Sequence, residues 1–326
     1  MKSLDQIESR TAIPPSPATP VAGPHFTISQ PGSYYLSGNI EVASGDGIVI
    51  NSNNVTLDLN GFALISKAAS PSGNAIHVIN SGSSIAIKNG RIAGATERTE
   101  IGPRPWDATF AGAGWQGGIL ATSATGLDLS DLSVERCASF GIFLMQGRSV
   151  LEQITATGNG GIAIYANESS IAHCIANQNA STGIYATSGS ITRFTSNYNG
   201  GFGIVVSGGS VTNSTASSNN SGGIYAYGGS GADCSAGASG FIGIQADQGT
   251  VADSIASYNG SDGIMAPGAN VTGSRATGNF KRGIHVGFGV AVHCSASENS
   301  TDPATIDKNI DVAAGGQRIG CVPESE

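Results

Sequence analysis

A tetrapeptide that begins with glycine or alanine and continues with isoleucine returns every twenty residues through the second half of the chain. Its copies are Ala163-Ile164-Tyr165-Ala166, Gly183-Ile184-Tyr185-Ala186, Gly203-Ile204-Val205-Val206, Gly223-Ile224-Tyr225-Ala226, Gly243-Ile244-Gln245-Ala246, Gly263-Ile264-Met265-Ala266 and Gly283-Ile284-His285-Val286. A small polar residue followed by an aliphatic one comes next in most copies, for example Ser170-Ile171. An asparagine also recurs at this spacing, at Asn159, Asn179, Asn199, Asn219, Asn259, Asn279 and Asn299, with Ser239 as the gap.

The length and composition of this repeat favour one coil of a parallel β-helix. Helical repeats need about 33 residues or more and an apolar period of about 3.6, and that period is absent from this sequence. Leucine-rich repeats need several leucines in each unit, whereas these units use Ile, Val, Ala, Ser and Gly. Three strands of about five residues and their turns fill twenty residues. The sequence therefore predicts an all-β solenoid with a triangular coil.

Equivalent positions of successive coils stack about 4.8 Å apart, which favours small or aliphatic side chains inside the coil. The isoleucines of the tetrapeptides are predicted to form one buried ladder, and a second is predicted from Ala176, Ala216, Ala256, Ala276 and Ala296. Asparagine tolerates left-handed backbone, and stacked amides can bond along the axis. We expect the repeated asparagines to form a structural ladder rather than a binding site.

The repeat is looser towards the N-terminus, where its intervals exceed twenty residues. The pattern is present at Gly47-Ile48-Val49-Ile50, Ala75-Ile76-His77-Val78, Gly118-Ile119-Leu120-Ala121 and Gly141-Ile142-Phe143-Leu144. The largest insertion, near residues 94–117, contains both tryptophans of the chain, Trp106 and Trp115. Insertions in solenoids form exposed loops that often carry function. This loop either binds a ligand through its two rings or covers a hydrophobic patch.

Both ends depart from the repeat. Residues 1–46 are predicted to form an N-terminal cap and a proline-rich linker, with a capping box at Ser3 and Gln6. Residues 47–312 are assigned to the β-helix, and residues 313–326 to a C-terminal tail without strands. Caps are expected because the open end of a solenoid is an edge that invites aggregation.

Charge and composition restrict the partners. A net charge of −8 and a pI near 5.0 disfavour a nucleic-acid binder, which would show a basic stripe. No segment is long and apolar enough for membrane insertion, and no apolar signal-peptide region follows Met1. A composition rich in Asn, Ser, Thr and Gly is nevertheless typical of β-helices outside cells or on virions. We therefore expect an extracellular, cell-surface or virion-surface location.

The five cysteines do not form an obvious framework. Cys174, Cys234 and Cys294 share one repeat position at intervals of three coils, or about 14 Å, which is too far for a disulfide. Cys137 falls on an asparagine position and Cys321 lies in the tail. We expect buried thiols, no metal site and no cofactor.

The Gly-Ile-x-Ala repeat, together with Ile28–Leu36 and Val55–Phe62, resembles the right-handed parallel β-helix proteins of the pectate-lyase-like superfamily. More narrowly, it resembles the large group of uncharacterised bacterial members. The resemblance covers about residues 26–312 and implies the fold, which hosts lyases, hydrolases, tailspikes, adhesins and spacers. The paired Asp motifs, Gly-His-Gly and Arg-x-Lys of galacturonan hydrolases are absent from the sequence. So is the calcium-binding Asp cluster with its Arg base that marks pectate lyases.

Within each tetrapeptide, the isoleucine and the final residue should point inward and the residue between them outward. The outward residues form a column of Phe143, Tyr165, Tyr185, Val205, Tyr225, Gln245, Met265 and His285. Four of these eight are aromatic, in a chain with only 6% aromatic residues. The rings of Phe143, Tyr165, Tyr185 and Tyr225 either offer a platform for sugar faces or another protein, or stack on one another to stabilise the sheet.

A second column, near the turn after the second strand, carries the densest line of charge. Its members are His173, Arg193, Asn213, Asp233, Asp253, Gly273 and His293. Asp233 and Asp253, on successive coils, would lie about 5 Å apart, the separation of the two carboxylates in retaining glycosidases. These two residues and Arg193 are the candidate catalytic residues. The alternatives are a cation site or two solvated turn aspartates.

These features favour an extended β-helix module that binds a polysaccharide or surface glycan, or that serves as a structural or interaction protein. Self-association through the rod is a further expectation. The alternative is a polysaccharide lyase or glycoside hydrolase that works in a groove beside the tyrosine column. The sequence leaves open whether the protein is an enzyme.

Overall fold

The computed structural model describes residues 10–299, 309–313 and 315–323. These residues form strands, turns and loops with no helix, as the repeat predicts. They fall into two compact units, each built as a parallel β-solenoid. The first unit comprises residues up to Thr99 together with Phe110–Asn167, and the second comprises Glu100–Thr109 and the residues from Glu168 onward. The predicted capping box at Ser3 and Gln6 lies outside the described residues.

The strands up to Asn167 are β1 (Arg10–Ile13), β2 (Val21–Ala22), β3 (Phe26–Ile28), β4 (Gly32–Leu36), β5 (Ile40–Ser44), β6 (Ile48–Ile50), β7 (Val55–Asp58), β8 (Ala63–Ser66), β9 (Asn74–Val78), β10 (Ile85–Ala93), β11 (Glu97–Glu100), β12 (Ala108–Ala111), β13 (Gly117–Ala121), β14 (Leu127–Glu135), β15 (Phe140–Leu144), β16 (Val150–Thr157) and β17 (Ile162–Asn167). The strands β3, β6, β9, β13, β15 and β17 pair in that order, each parallel to the next. The strands β4, β7, β10, β14 and β16 form a second parallel series. Strands from consecutive coils are therefore neighbours, as a β-helix requires.

The strands from Glu168 onward are β18 (Ser170–Ala172), β19 (Ile175–Asn177), β20 (Ile184–Thr187), β21 (Ser190–Thr192), β22 (Thr195–Asn197), β23 (Phe202–Ser207), β24 (Ser210–Thr212), β25 (Thr215–Ser217), β26 (Gly222–Tyr227), β27 (Ser230–Ala232), β28 (Ser235–Gly237), β29 (Ile242–Ala246), β30 (Gly249–Ala252), β31 (Ile255–Ser257), β32 (Ile264–Ala266), β33 (Ala269–Thr272), β34 (Arg275–Thr277), β35 (Ile284–Val286), β36 (Val290–Val292), β37 (Ser295–Ser297), β38 (Ile310–Val312), β39 (Gln317–Ile319) and β40 (Val322–Pro323). Each coil of the regular array has three strands, and each strand pairs with its copy twenty residues later, as in β20 with β23, β21 with β24 and β22 with β25. The three-stranded, twenty-residue coil is confirmed.

The predicted ladders are part of the core of the second unit. Ile184, Ile204 and Ile224 are in register and at most 1% exposed. The alanine ladder is equally buried, and Ser196 takes the place of alanine in one coil. The hydroxyl of Ser196 donates to the carbonyl of Gly203 at 2.7 Å, which satisfies its polar group inside the coil. Repetition of one small inward pattern is therefore sufficient to build a continuous core.

The asparagines form the predicted buried ladder. Nδ2 of Asn179 donates to Oδ1 of Asn199 at 2.9 Å, and Nδ2 of Asn199 donates to Oδ1 of Asn219 at 3.0 Å. The left-handed turn lies at the residue before each asparagine, as at Tyr198 with φ 61°. The asparagine amides are buried and bond to the next coil.

The strands extend past both predicted ends of the solenoid. β1 pairs with β4 and β3 with β6, so parallel pairing is present within residues 1–46. At the other end, β39 and β40 pair with β36 and β37, where the sequence predicts a tail without strands. The reason is that the outer edge of β36 and β37 offers unpaired backbone groups, and the following chain satisfies them. The domain boundaries at residues 46 and 312 stay predictions.

Candidate functional site

The outward residues of one sheet form a continuous line in the first unit. The parallel register of β3, β6, β9, β13, β15 and β17 places one residue of each strand on the same side. We call this line the first outer column, and it comprises Thr27, Val49, His77, Leu120, Phe143 and Tyr165. Ile142 and Leu144, on either side of Phe143, are buried, because side chains alternate across a strand. Phe143 and Tyr165 therefore face outward.

The rings of Phe143 and Tyr165 stack on each other, with centroids 4.5 Å apart and planes inclined by 12°. The ring of Phe140 packs against Phe143 at 5.5 Å with a tilt of 51°. Stacking covers one face of each ring in the pair, and this is the arrangement by which cross-strand rings stabilise a sheet. Both side chains remain partly exposed, so the same pair adds an apolar strip to the outer surface.

His77 lies on the same column, two coils before Phe143 and about 10 Å from it along the axis. Its Nδ1 is 2.9 Å from Oδ2 of Asp46. The other carboxylate oxygen, Oδ1, accepts a hydrogen bond from the backbone N–H of Asn74 at 2.7 Å. An ionised Asp46 places the imidazole hydrogen on Nδ1, so Nε2 of a neutral His77 is a hydrogen-bond acceptor. Nε2 has no hydrogen-bond partner among the described residues, and an oriented imidazole of this kind can exchange a proton with a ligand.

The aromatic column predicted from the sequence begins at Phe143 and misses this pair. A signal was available, because Ala75-Ile76-His77-Val78 belongs to the same tetrapeptide pattern and places His77 on the outward position. Its partner could not be found in this way. Asp46 precedes β6, 31 residues before His77, and only the pairing of β6 with β9 brings the two together.

The second unit has its own outer column, which comprises Tyr185, Val205, Tyr225, Gln245, Met265 and His285. The Tyr225 hydroxyl donates to Oδ2 of Asp247 at 2.6 Å, and Nε2 of Gln245 donates to Oδ1 of Asp247 at 2.9 Å. The hydrogen bond to Asp247, together with burial and the carboxylate charge, raises the pKa of Tyr225 to about 12. A ring, a carboxylate and an amide are thus joined in one cluster at the surface.

The candidate catalytic residues lie in turns. Asp233, Asp253 and Arg193 are exposed and have left-handed backbone, with φ of 52°, 47° and 51°. The carboxylate of Asp253 lies over Gly273, where an added Cβ would come within 2.2 Å of Oδ1. Nη1 of Arg193 is 3.1 Å from Nε2 of His173 on the neighbouring coil. This geometry is that of turn residues, and a catalytic role for the three stays a prediction.

The two tryptophans of the insertion have different environments. Trp115 is fully buried, and its ring approaches to within 3.1 Å of the position that a Cβ on Gly47 would occupy. The prediction that Trp115 contacts a ligand is therefore wrong, since burial of a large apolar ring is strongly favourable and leaves no surface for a ligand. Trp106 is partly exposed, with the Arg104 guanidinium 5.8 Å from its ring centroid. Its role in binding stays a prediction.

In the described part of the chain, no group of three or more His, Cys, Asp or Glu side chains could hold a metal ion. Residues 10–299, 309–313 and 315–323 also contain no helix that is long and apolar enough to cross a membrane.

Comparison with known proteins identifies the fold. A family model described as a right-handed β-helix region matches residues 35–198, and no curated protein matches the sequence. The A-module of mannuronan C-5 epimerase AlgE6 from Azotobacter vinelandii is similar, with a TM-score of 0.61 and 12% identity over 91% of each chain. The AlgE4 A-module from the same organism has a TM-score of 0.60 and 12% identity over 90% of this chain and 91% of its own. At this identity, the likeness shows the fold alone.

Proposed function

The chain belongs to the right-handed β-helix family, and we propose that it is a polysaccharide-binding module whose outer columns contact the ligand. The observation that carries this proposal is the first outer column, on which His77, Phe143 and Tyr165 occupy one face of one sheet. A polysaccharide presents apolar ring faces and hydroxyl groups in alternation. An imidazole and, about 10 Å further along the column, two aromatic rings on neighbouring strands complement such a ligand.

The second outer column supports the same proposal independently. Tyr225 offers a ring, while Asp247 and Gln245 offer hydrogen-bond acceptors and donors that match sugar hydroxyls. The two Azotobacter vinelandii modules with this fold are parts of enzymes named for mannuronan. Their low identity leaves the choice of polysaccharide to the chemistry of this chain. A net charge of −8 disfavours strongly anionic polymers, so a neutral polysaccharide or surface glycan is the proposed ligand.

Affinity electrophoresis through gels that contain neutral, anionic or cationic polysaccharides tests this proposal. A binder is retarded in gels that contain its ligand, and the polymer recovered from the gel keeps its length. Retardation by a neutral polysaccharide is the expected result. Unchanged mobility in every gel would contradict the proposal and favour a structural or interaction protein.

A second candidate function is catalysis, as a hydrolase on this neutral polysaccharide or as a lyase on a polymer that contains uronic acid, and the Asp46–His77 pair favours it. The carboxylate holds Nδ1 of the imidazole, and the His77 side chain is 28% exposed, so Nε2 is the ring nitrogen left for a ligand. Proton transfer through His77 would yield unsaturated products in a lyase or new reducing ends in a hydrolase. Assays for both products on the polymers that retard the protein separate this function from simple binding.

Location and assembly are also parts of the proposal. A polysaccharide on a cell or virion surface requires the protein to reach that surface, so we propose an extracellular or surface location. Solenoid ends expose strand edges, and we propose that association of copies occurs there. Fractionation of the producing cells tests the location, and light scattering over a concentration series tests the association.

A further inference from the structure

Two cysteines occupy adjacent positions at the C-terminal end of the second unit. Val292 pairs with Ile319 and Ser295 with Val322, which places Cys294 directly against Cys321 on the next coil. Adjacent parallel strands are about 4.8 Å apart. This separation lies within the Cα–Cα range of about 4.4–6.8 Å that disulfides span.

A hydrogen bond also shows that Cys321 lies close to Cys294. The backbone N–H of Cys294 donates to Sγ of Cys321 at 3.4 Å, so the Cys321 sulfur lies beneath the Cys294 backbone. The same relation recurs earlier in this column, where the N–H of Cys234 donates to Oγ of Ser254 at 3.2 Å. Both Cys294 and Cys321 are free thiols, Cys294 buried and Cys321 partly exposed.

We propose that Cys294 and Cys321 are an oxidation site that closes to a disulfide when a small-molecule disulfide is present, and that this bond fastens the last coil to the solenoid. The thiolate of the accessible Cys321 attacks the reagent, forming a mixed disulfide and releasing one thiolate. Cys294 then loses its proton and attacks the Cys321 sulfur, displacing the second thiolate. Two protein thiols are oxidised and one reagent disulfide is reduced to two thiols.

The remaining cysteines do not compete for this bond. Cys137, Cys174 and Cys234 are buried, and Cys174 and Cys234 share a repeat position three coils apart, about 14 Å along the axis. The disulfide would hold the terminal strands in place. β39 and β40 are the outermost described strands, and most of their residues are exposed. A crosslink between β36–β37 and β39–β40 opposes fraying of this end.

Peptide mapping of the whole chain tests the pairing. The protein is incubated with oxidised glutathione, alkylated and digested with trypsin, which cleaves after Arg282, Lys308 and Arg318. Cys294 and Cys321 are then on separate peptides. The expected product is a linked pair, 283–308 with 319–326, that reduction separates. The proposal would be overturned if Cys321 carried glutathione while Cys294 was recovered in alkylated form, because Cys294 would then have remained a free thiol.

The stabilising role has its own readout. Oxidised wild type should melt at a higher temperature than reduced wild type, and its last coil should resist proteolysis for longer. The Cys321→Ser variant should show no difference between the two conditions, whereas the Cys234→Ser control should behave as wild type. A linked pair with unchanged melting and proteolysis would overturn the fastening role.

Discussion

The imidazole Nδ1 of His77 and the carboxylate Oδ2 of Asp46 lie 2.9 Å apart, although 31 residues separate them in the chain. The carboxylate is itself held by the backbone N–H of Asn74. A histidine that is oriented in this way, on a line with Phe143 and Tyr165, gives the first unit a polar group beside an apolar strip. The first two predictions depend on this arrangement.

If the Asp46–His77 pair transfers protons to a substrate, His77→Gln should abolish product formation. The variant should still be retarded by the polysaccharide in affinity electrophoresis. Asp46→Asn should reduce the rate by a smaller factor, because the imidazole remains but its tautomer is no longer fixed. Product assays and affinity electrophoresis on the same samples check this. Asp233→Asn and Asp253→Asn are the comparison: loss of turnover in these variants, with full activity in His77→Gln, would place catalysis in the turn column instead.

Binding should depend on the outer columns. Tyr165→Ala and Tyr225→Ala are each expected to weaken polysaccharide binding by about 1–3 kcal/mol, by analogy with base stacking on aromatic rings. Tyr258→Ala is the matched control, because Tyr258 lies in a turn and is 67% exposed. Dissociation constants from titration calorimetry check the difference. If Tyr165→Ala and Tyr225→Ala bind the polysaccharide as tightly as wild type and Tyr258→Ala do, both columns are structural.

The asparagine ladder should carry stability rather than binding. Oδ1 of Asn199 accepts from both the backbone N–H and Nδ2 of Asn179, at 3.0 and 2.9 Å. Asn199→Ala removes the acceptor that these two buried hydrogen bonds share, at an expected cost of about 1–3 kcal/mol. Asn220→Ala, in the corresponding turn of the next coil but exposed, should change stability by less than about 0.5 kcal/mol. Denaturant unfolding of the two variants measures both values, and similar losses would contradict a structural ladder.

The stability of the second unit should fall at high pH through Tyr225. Its pKa is raised from the ordinary value of 10.0 to about 12, first because its hydroxyl donates to Asp247. A raised pKa stabilises the folded state fully below pH 10, and this contribution is lost as the pH rises towards 12. Wild type should therefore lose more stability than Tyr225→Phe between these values. Melting temperatures of both proteins, measured at the same pH values, check this difference. An equal fall in melting temperature for wild type and Tyr225→Phe would contradict the prediction.

The repeat in the sequence was sufficient to predict the coil, its three strands and its buried ladders. This is so because each residue of a regular solenoid mainly meets its own copies, twenty residues away in either direction. The outward orientation of Phe143, Tyr165 and Tyr225 follows from the same period. The site was predictable to that extent and no further.

The tertiary structure alone decided which irregular residues meet. Coils before the regular array differ in length, so the sequence does not show that Asp46 faces His77 or that Trp115 turns inward. Beyond the array, the chain between Asn299 and Asn309 breaks the period, and only the pairing of β36 with β39 reveals that Cys321 continues the column of Cys294. Periodicity determines contacts where spacing is constant, whereas insertions shift the register by amounts that only packing and backbone hydrogen bonding decide.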